Sequence, residues 1–284
     1  MLLAVGVGLS VFQVWSVLFS AVDPLLQRTV FLSWLLAFGF LSLRPHRSNF
    51  REGPSALEIA EAALAVVAGV YYAWNFDRIL YHWPMIDPLT PTDLFIGAAI
   101  FLLVLDATRR AIGWPIVIIA ALFSLYVLAG HLLPGSFSHR SFSFSEFIDQ
   151  MVYTINGIYG TPLSVAATYV YMFVLFGIVL FHSGGGEFFI GLARSVAAGA
   201  RGGAAKVAVV ACGLFGMISG SPTSDTVTTG TFTIPLMRRM GYRAVDAGAI
   251  VAVAATGGGI MPPVMGSAAF IMAEFTGIPY ARIA

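Results

Sequence analysis

The stretch that decides the fold is a polar interruption of an apolar segment: Ser219-Gly220-Ser221-Pro222-Thr223-Ser224-Asp225, in the middle of residues 203–237. In hydrocarbon, each polar group without a partner costs several kcal/mol. A membrane helix would therefore exclude such residues unless they are buried in protein or line a wet cavity. The stretch predicts a binding site at membrane depth.

The composition predicts a protein whose solvent is lipid. The chain has 284 residues, of which 58% are hydrophobic and 10% charged, and its mean hydropathy is +0.86. Soluble domains carry roughly 25% charged residues. The net charge of +1 indicates no nucleic-acid partner, and the single cysteine excludes a disulfide within the chain. The fold class is therefore an all-α polytopic membrane protein.

Six apolar segments have about the length that a membrane crossing requires, although the fourth is short. They are residues 2–22, 30–43, 57–74, 93–105, 114–133 and 164–181. Residues 186–200 have an amphipathic pattern typical of an interfacial helix or a connecting arm. Two further apolar blocks, 203–237 and 245–275, are each interrupted.

Charge placement predicts how the first interrupted block lies in the membrane. By the positive-inside rule, the Arg-rich linkers after the second and fourth segments are cytoplasmic. Residues 203–237 then have basic residues on both flanks: Arg194, Arg201, Lys206, Arg238, Arg239 and Arg243. Because both ends favour the cytoplasm, the block is predicted to be a re-entrant hairpin with the polar stretch at its tip. Two short helices with a polar loop at the far surface are the alternative.

The tip has the chemistry of an ion site. Gly220 and Pro222 interrupt the helix, which frees carbonyl oxygens, and the neighbouring hydroxyls add further neutral oxygen ligands. Such a cluster suits a weakly held hard cation such as Na⁺. A helix restarting near Asp225 would point its N–H groups at an anionic substrate. The alternative is that the serines and threonines only allow close helix packing.

The second interruption is rich in glycine and proline: Thr256-Gly257-Gly258-Gly259-Ile260-Met261-Pro262-Pro263. Three glycines and two prolines in an apolar segment predict a discontinuous helix with exposed carbonyl groups. Discontinuous helices form ion and substrate sites in many secondary transporters. A hinge or a simple kink is the alternative.

These motifs resemble the large permease of tripartite ATP-independent periplasmic (TRAP) transporters. The resemblance is carried by the blocks Ile218–Ser221, Thr228–Met237, Thr256–Gly258 and Ile260–Gly266. It is closest to the form in which the small and large membrane subunits are fused and work with TAXI-type receptors. On this basis residues 1–133 are a small-subunit-like region, and residues 134–284 are the first half of the large-subunit transport region.

The resemblance implies a multi-pass permease component in the bacterial inner membrane, not an enzyme. It would import small organic acids, carboxylates or amino acids, with Na⁺ as the coupling ion and no other cofactor. A TAXI-type periplasmic receptor would deliver the organic anion, and an elevator motion would carry it across the bilayer. Carried onto this chain, the family's sodium site falls on Ser219, Gly220, Ser221, Thr256, Gly257, Gly259 and Pro262. Substrate contacts are assigned to Thr223, Ser224, Asp225, Thr229 and Gly258.

Two departures from the family pattern affect these expectations. Many members have an Ala-Val-Ala-Asn-type sequence where this chain has Pro222–Asp225, and Gly-Gly-Gln where it has Gly257–Gly259. The family's large subunit also has two inverted halves, whereas this chain contains one hairpin and one broken helix. The chain is therefore predicted to be half of an inverted-repeat transporter that needs a missing C-terminal half. A truncated or split permease fragment with only a structural role is the alternative.

Overall fold

The computed structural model describes residues 2–19, 22–42, 55–135, 138–197, 199–200 and 202–284. These ranges are helical and contain no strand, which confirms the predicted all-α class. The chain divides into two compact units, Met1–Ala167 and Thr168–Ala284. The division reflects packing, so the subunit boundary between residues 133 and 134 stays a prediction.

Five helices in the described ranges are long and apolar enough to cross a membrane: Pro24–Ser42, Ala56–Trp74, Pro91–Ala111, Trp114–Leu132 and Thr161–Leu180. They coincide with the second to sixth predicted segments. The first predicted segment also forms a helix, but its apolar part, Val5–Phe19, is shorter than the other five. The chain is thus a multi-pass membrane protein.

The first unit contains eight α-helices among its described residues. They are α1 (Leu2–Phe19), α2 (Pro24–Ser42), α3 (Ala56–Trp74), α4 (Phe76–Leu80), α5 (Pro91–Ala111), α6 (Trp114–Ala129), α7 (Phe144–Val152) and α8 (Thr161–Val165). Three of them begin with a capping box, at Ser55, Thr90 and Ser143. In each box the side chain at the N-cap and the acid three residues later satisfy otherwise unpaired N–H groups.

Ion pairs that involve a buried side chain lie at both ends of α5. Asp93 at the start of α5 accepts two hydrogen bonds from Arg78, at 2.6 and 2.8 Å. At the other end of α5, the guanidinium of Arg110 is bound by Asp106 and Glu61, and it lies 4.8 Å from the ring centre of Phe40. Asp106 also pairs with Arg109, so both arginines at three- and four-residue spacing lie on its face of the helix.

The second unit continues with seven α-helices among its described residues. They are α9 (Tyr171–Leu180), α10 (Gly186–Ala197), α11 (Gly203–Ser219), α12 (Pro222–Arg239), α13 (Ala244–Gly258), α14 (Ser267–Thr276) and α15 (Tyr280–Ile283). A π-helical turn, Phe181–Gly185, joins α9 to α10, and Gly184 within it has a φ of +93°. The predicted amphipathic helix is α10. Both interrupted blocks are divided into two helices, as predicted.

Small residues allow the helices of the second unit to pack closely. On α11, buried Ala204, Ala208 and Cys212 follow one another at four-residue spacing and pack against Ala247, Val251 and Ala255 of α13. Such ridges let membrane helices approach closely, where dispersion rather than the hydrophobic effect drives association. Gly216 continues the ridge, and a Cβ there would overlap the backbone of Gly258. This approach brings the end of α13 against α11.

Candidate functional site

The hairpin tip is a tight turn between α11 and α12. The α11 helix ends at Ser219, and Gly220 adopts a left-handed conformation with a φ of +58°. Ser221 is the N-cap of α12, and its hydroxyl accepts a hydrogen bond from the N–H of Ser224 at 3.4 Å. Pro222 occupies the first helical position, where its missing N–H is not needed. The helix therefore restarts at Pro222, three residues earlier than the sequence analysis placed it.

The second interruption follows α13 and is likewise non-helical. The helix runs through Gly257 and ends at Gly258, so only the third glycine of the run lies outside it. The chain then turns back, with the N–H of Gly266 donating to the carbonyl oxygen of Gly259 at 2.6 Å. The predicted discontinuous helix is present, but two of its three glycines remain helical.

The structure places the two interruptions in contact. The N–H of Val264 donates to the carbonyl oxygen of Met217, at 3.2 Å, which ties the second turn to the end of α11. A Cβ on Gly220 would overlap the carbonyl oxygen of Met265. Gly220 is thus required twice, once for its left-handed backbone and once for this close approach.

Asp225 lies beneath the tip, in the first turn of α12, and is 1% exposed. One carboxylate oxygen, Oδ1, accepts a hydrogen bond from the hydroxyl of Ser219, which itself accepts one from the N–H of Ser221 at 3.0 Å. The other oxygen, Oδ2, is buried and has no hydrogen-bond partner among the described residues. A buried carboxylate oxygen without a partner is costly, which marks this residue as chemically unusual.

Gly258 lies directly beside this carboxylate. A Cβ on Gly258 would lie 2.7 Å from the carbonyl oxygen of Cys212 and 3.5 Å from Oδ2 of Asp225. A side chain at this position would therefore push α13 away from α11 and crowd the acid. The glycine keeps Asp225 and both interruptions within one small volume.

A cavity of about 350 Å³ adjoins the tip. Its polar lining comes from five residues of the hairpin and one outside it: Ser219, Ser221, Ser224, Asp225, Thr228 and His182. Its apolar lining includes Val174, Ile178, Phe189, Phe215 and Ile218. A concave site with an apolar wall and a few polar groups is typical of sites for small ligands.

The wall contributed by α9 and α10 was missed by the sequence analysis. His182 lies in the π-helical turn, and its Nδ1 is 2.9 Å from the carbonyl oxygen of Ile178. Because a carbonyl oxygen can only accept, this nitrogen carries the hydrogen of the contact. Phe189 packs edge-on against Phe215, with ring centres 5.8 Å apart. The run Ser183–Gly186 directly after His182 was the signal in the sequence that could have indicated this wall.

The structure brings some of the predicted site residues together and leaves others apart. Six of them cluster at the contact between the interruptions, namely Ser219, Gly220, Ser221, Asp225, Gly258 and Gly259. Ser224 lines the adjoining cavity. Thr223, Thr256, Gly257 and Pro262 are exposed. Thr229 is buried one turn below Asp225, where its hydroxyl lies 3.0 Å from the sulfur of Cys212. The assignment of sodium and substrate to these residues stays a prediction.

Comparison with known proteins identifies the family of the chain. No curated protein and no solved structure matches it. The sequence model of the tripartite ATP-independent periplasmic transporter, DctM component, matches residues 99–284. This match covers about two thirds of the chain and includes both interruptions and every residue of the cavity. The chain belongs to the DctM family of TRAP transporter permease components.

Proposed function

We propose that this chain is the membrane permease component of a sodium-coupled importer of small organic acids. In this proposal, a TAXI-type periplasmic receptor loads the permease, and the hairpin region carries the solute across the inner membrane by an elevator motion. Family membership supports the transport role. The observation that carries the proposal further is the contact between the hairpin tip and the broken helix at Gly220.

The sodium part of the proposal rests on the oxygen atoms around this contact. Backbone carbonyl groups of the two turns and the hydroxyls of Ser219 and Ser221 supply neutral ligands of the kind hard cations take. The proposed sodium residues remain Ser219, Gly220, Ser221, Thr256, Gly257, Gly259 and Pro262. Among them, the tip residues and Gly259 lie at the contact, which makes Ser221 the most informative one to change.

The substrate part rests on the cavity beside the tip. The first turn of α12 faces this cavity through Ser221 and Ser224, which line it. A helix N-terminus carries partial positive charge and N–H groups that stabilise an anion. The proposed substrate residues remain Thr223, Ser224, Asp225, Thr229 and Gly258. The apolar residues that line the cavity would contact the rest of the solute.

Uptake into proteoliposomes tests the proposal. The complete permease that contains this sequence is reconstituted with the receptor, and uptake of the receptor's ligand is measured with and without an inward sodium gradient. Uptake should require the gradient and proceed without ATP. Replacing Ser221 with alanine should raise the sodium concentration for half-maximal uptake by about tenfold, equivalent to one lost ligand contact.

Ser195→Ala is the matched control, because Ser195 is an exposed serine of α10 whose hydroxyl only bonds Leu192 within its own helix. This variant should behave like the wild type. Uptake that is independent of sodium would refute the coupling. Equal sodium dependence of the wild type and Ser221→Ala would exclude Ser221 from the sodium site. It would favour the alternative that the serines of the tip only allow close helix packing.

A further inference from the structure

The charges that line the cavity beside the hairpin tip are unusual for a site that takes a simple anion. Its lining includes one carboxylate, that of Asp225, and one imidazole, that of His182, and no lysine or arginine among the described residues. Two negative charges a few ångströms apart at low dielectric repel each other by several kcal/mol. A monocarboxylate entering this cavity would meet that repulsion without a fixed cation to offset it.

Asp225 itself lacks a positive partner. Its side chain makes no ion pair with any lysine, arginine or histidine in the part of the chain that the structure describes. The hydroxyl of Ser219 satisfies Oδ1, while Oδ2 is buried beside Gly258 and has no hydrogen-bond partner among the described residues. Buried carboxylates are stable when a cation or several donors compensate their charge, and a ligand that brings an N–H donor would do so.

The same cavity also offers groups that suit a carboxylate. Ser221 and Ser224 line it at the start of α12, an 18-residue helix whose positive end lies there. Phe189, Phe215 and Ile178 also line the cavity and make part of its lining apolar. The cavity therefore has three chemically distinct parts: an acid, an anion-favouring helix end and an apolar wall.

We propose that the cavity binds a zwitterion, namely an α-amino acid with an apolar side chain. The ammonium group donates to Asp225, the carboxylate lies at the hydroxyls and N-terminus of α12, and the side chain packs against Phe189 and Phe215. This inference deepens the proposed function and rests on it, since it narrows organic acids in general to those that carry an amino group. It also gives Asp225 the role of specificity determinant for the amine.

Matched probes that differ by one group test the inference. L-Leucine, 4-methylpentanoate, which lacks the amine, and 3-methylbutylamine, which lacks the carboxylate, compete with radiolabelled leucine for the full chain in lipid nanodiscs. Leucine should compete at least tenfold better than either analogue. The inference is overturned if the wild type shows no preference for leucine over the two analogues, or if it shows no measurable leucine binding at millimolar concentration. This part of the test uses no variant and so does not depend on how variants fold.

The second part uses Asp225→Asn, which keeps the shape of the side chain and removes its charge. Leucine binding should weaken at least tenfold, to the level of 4-methylpentanoate, whose own binding should stay the same or improve. Asp246→Asn is the control, because the side chain of Asp246 is 43% exposed and, among the described residues, its ion pair is with Arg243 at the start of α13. An Asp225→Asn variant that still prefers leucine overturns the role of Asp225.

The outcome is separable from that of the uptake experiment. Sodium-driven uptake of acids without an amino group, together with no preference for leucine, would leave the proposed function intact and reject the zwitterion. A sodium requirement for probe binding that disappears in Asp225→Asn, without a change in the preference among the three probes, would show that Asp225 holds the coupling ion instead. That result also rejects the inference.

Discussion

The buried acids of the two units differ in how their charges are compensated. In the described residues of the first unit, Asp93 accepts from Arg78, Tyr71 and Thr90, and Asp149 accepts from His82 and the N–H of Met85. In the second unit, Asp225 is as deeply buried as Asp93 but has a single serine hydroxyl on one oxygen.

The difference indicates two uses of charge in a protein that spans a membrane. A buried acid with several donors fixes the position of the segments around it, because hydrogen bonds within the protein already compensate its charge. A buried acid with an unpaired oxygen beside a cavity retains the capacity to bind something else. Among the described residues, Asp93 and Asp149 of the first unit join separate segments through their hydrogen bonds, whereas Asp225 of the second unit has one oxygen without a partner.

The largest effect is expected from Arg110, whose side chain is 1% exposed. Arg110→Met should destabilise the first unit by roughly 3 kcal/mol, because Glu61 loses its buried partner and Asp106 keeps only its pair with Arg109 among the described residues. Equilibrium unfolding in mixed micelles measures this loss. A change below about 0.5 kcal/mol, the size typical of surface substitutions, would show that the ion pairs of this unit do not brace it.

Neutralising the two most buried acids compares the units directly. Asp93→Asn should lower the free energy of unfolding by about 1.5–3 kcal/mol, because a charge-assisted bond with Arg78 is lost. Asp225→Asn should lower it by no more than about 0.5 kcal/mol or raise it, since an incompletely paired charge is removed. The same unfolding assay measures both variants. Equal losses would contradict the distinction between a paired and an unpaired acid.

Two adjacent glycines at the end of α13 are expected to respond differently to replacement by alanine. Gly258→Ala should destabilise the protein by about 1–3 kcal/mol and abolish uptake, because its Cβ would lie 2.7 Å from the carbonyl oxygen of Cys212. A Cβ on Gly257 meets no atom within 4 Å, so Gly257→Ala should be neutral or stabilise α13 by up to about 1 kcal/mol. If both variants behave alike, the close approach of α13 to α11 is not what the site requires.

The smallest effect is expected at Glu146, in the capping box of α7. The backbone N–H and the hydroxyl of Ser143 hold the pKa of this exposed carboxyl below its usual range. A lowered folded-state pKa means that the contribution is present above the unfolded pKa and is lost as the pH falls through the folded value. Thermal midpoints between pH 6 and pH 3, values chosen to bracket a carboxyl pKa, should therefore decline slightly less steeply in Glu146→Gln than in the wild type.

Local patterns in the sequence were sufficient to predict the helices and both interruptions. The apolar lengths indicated the spans, and Gly220, Pro222 and the glycine run from Gly257 onwards indicated where helices stop. Helix ends were predicted less well. Pro222 initiates α12 because the first helical position needs no N–H, and Gly257 and Gly258 stay helical because α13 packs against α11 up to that point.

The candidate site was only partly predictable. The serines of the tip and Asp225 were identified because polar residues in an apolar block are conspicuous in any sequence. The apolar wall formed by α9 and α10 was missed, since Phe189 and Val174 look like ordinary residues of membrane helices. Thr229 lies one turn after Asp225 on α12 and is buried, with its hydroxyl 3.0 Å from the sulfur of Cys212, and its assignment to substrate stays a prediction.

The sequence by itself determined that the chain resides in a membrane, that its helices break at two places, and that one break carries an acid among hydroxyls. These are consequences of hydrophobicity and backbone preference, which act over a few residues. Only the tertiary structure decided that Gly216 and Gly258 bring the two breaks together, and that one oxygen of Asp225, a residue that lines a cavity, is buried without a partner among the described residues. Those features depend on which helix surfaces pack against each other, and that choice is made by contacts between residues far apart in the chain.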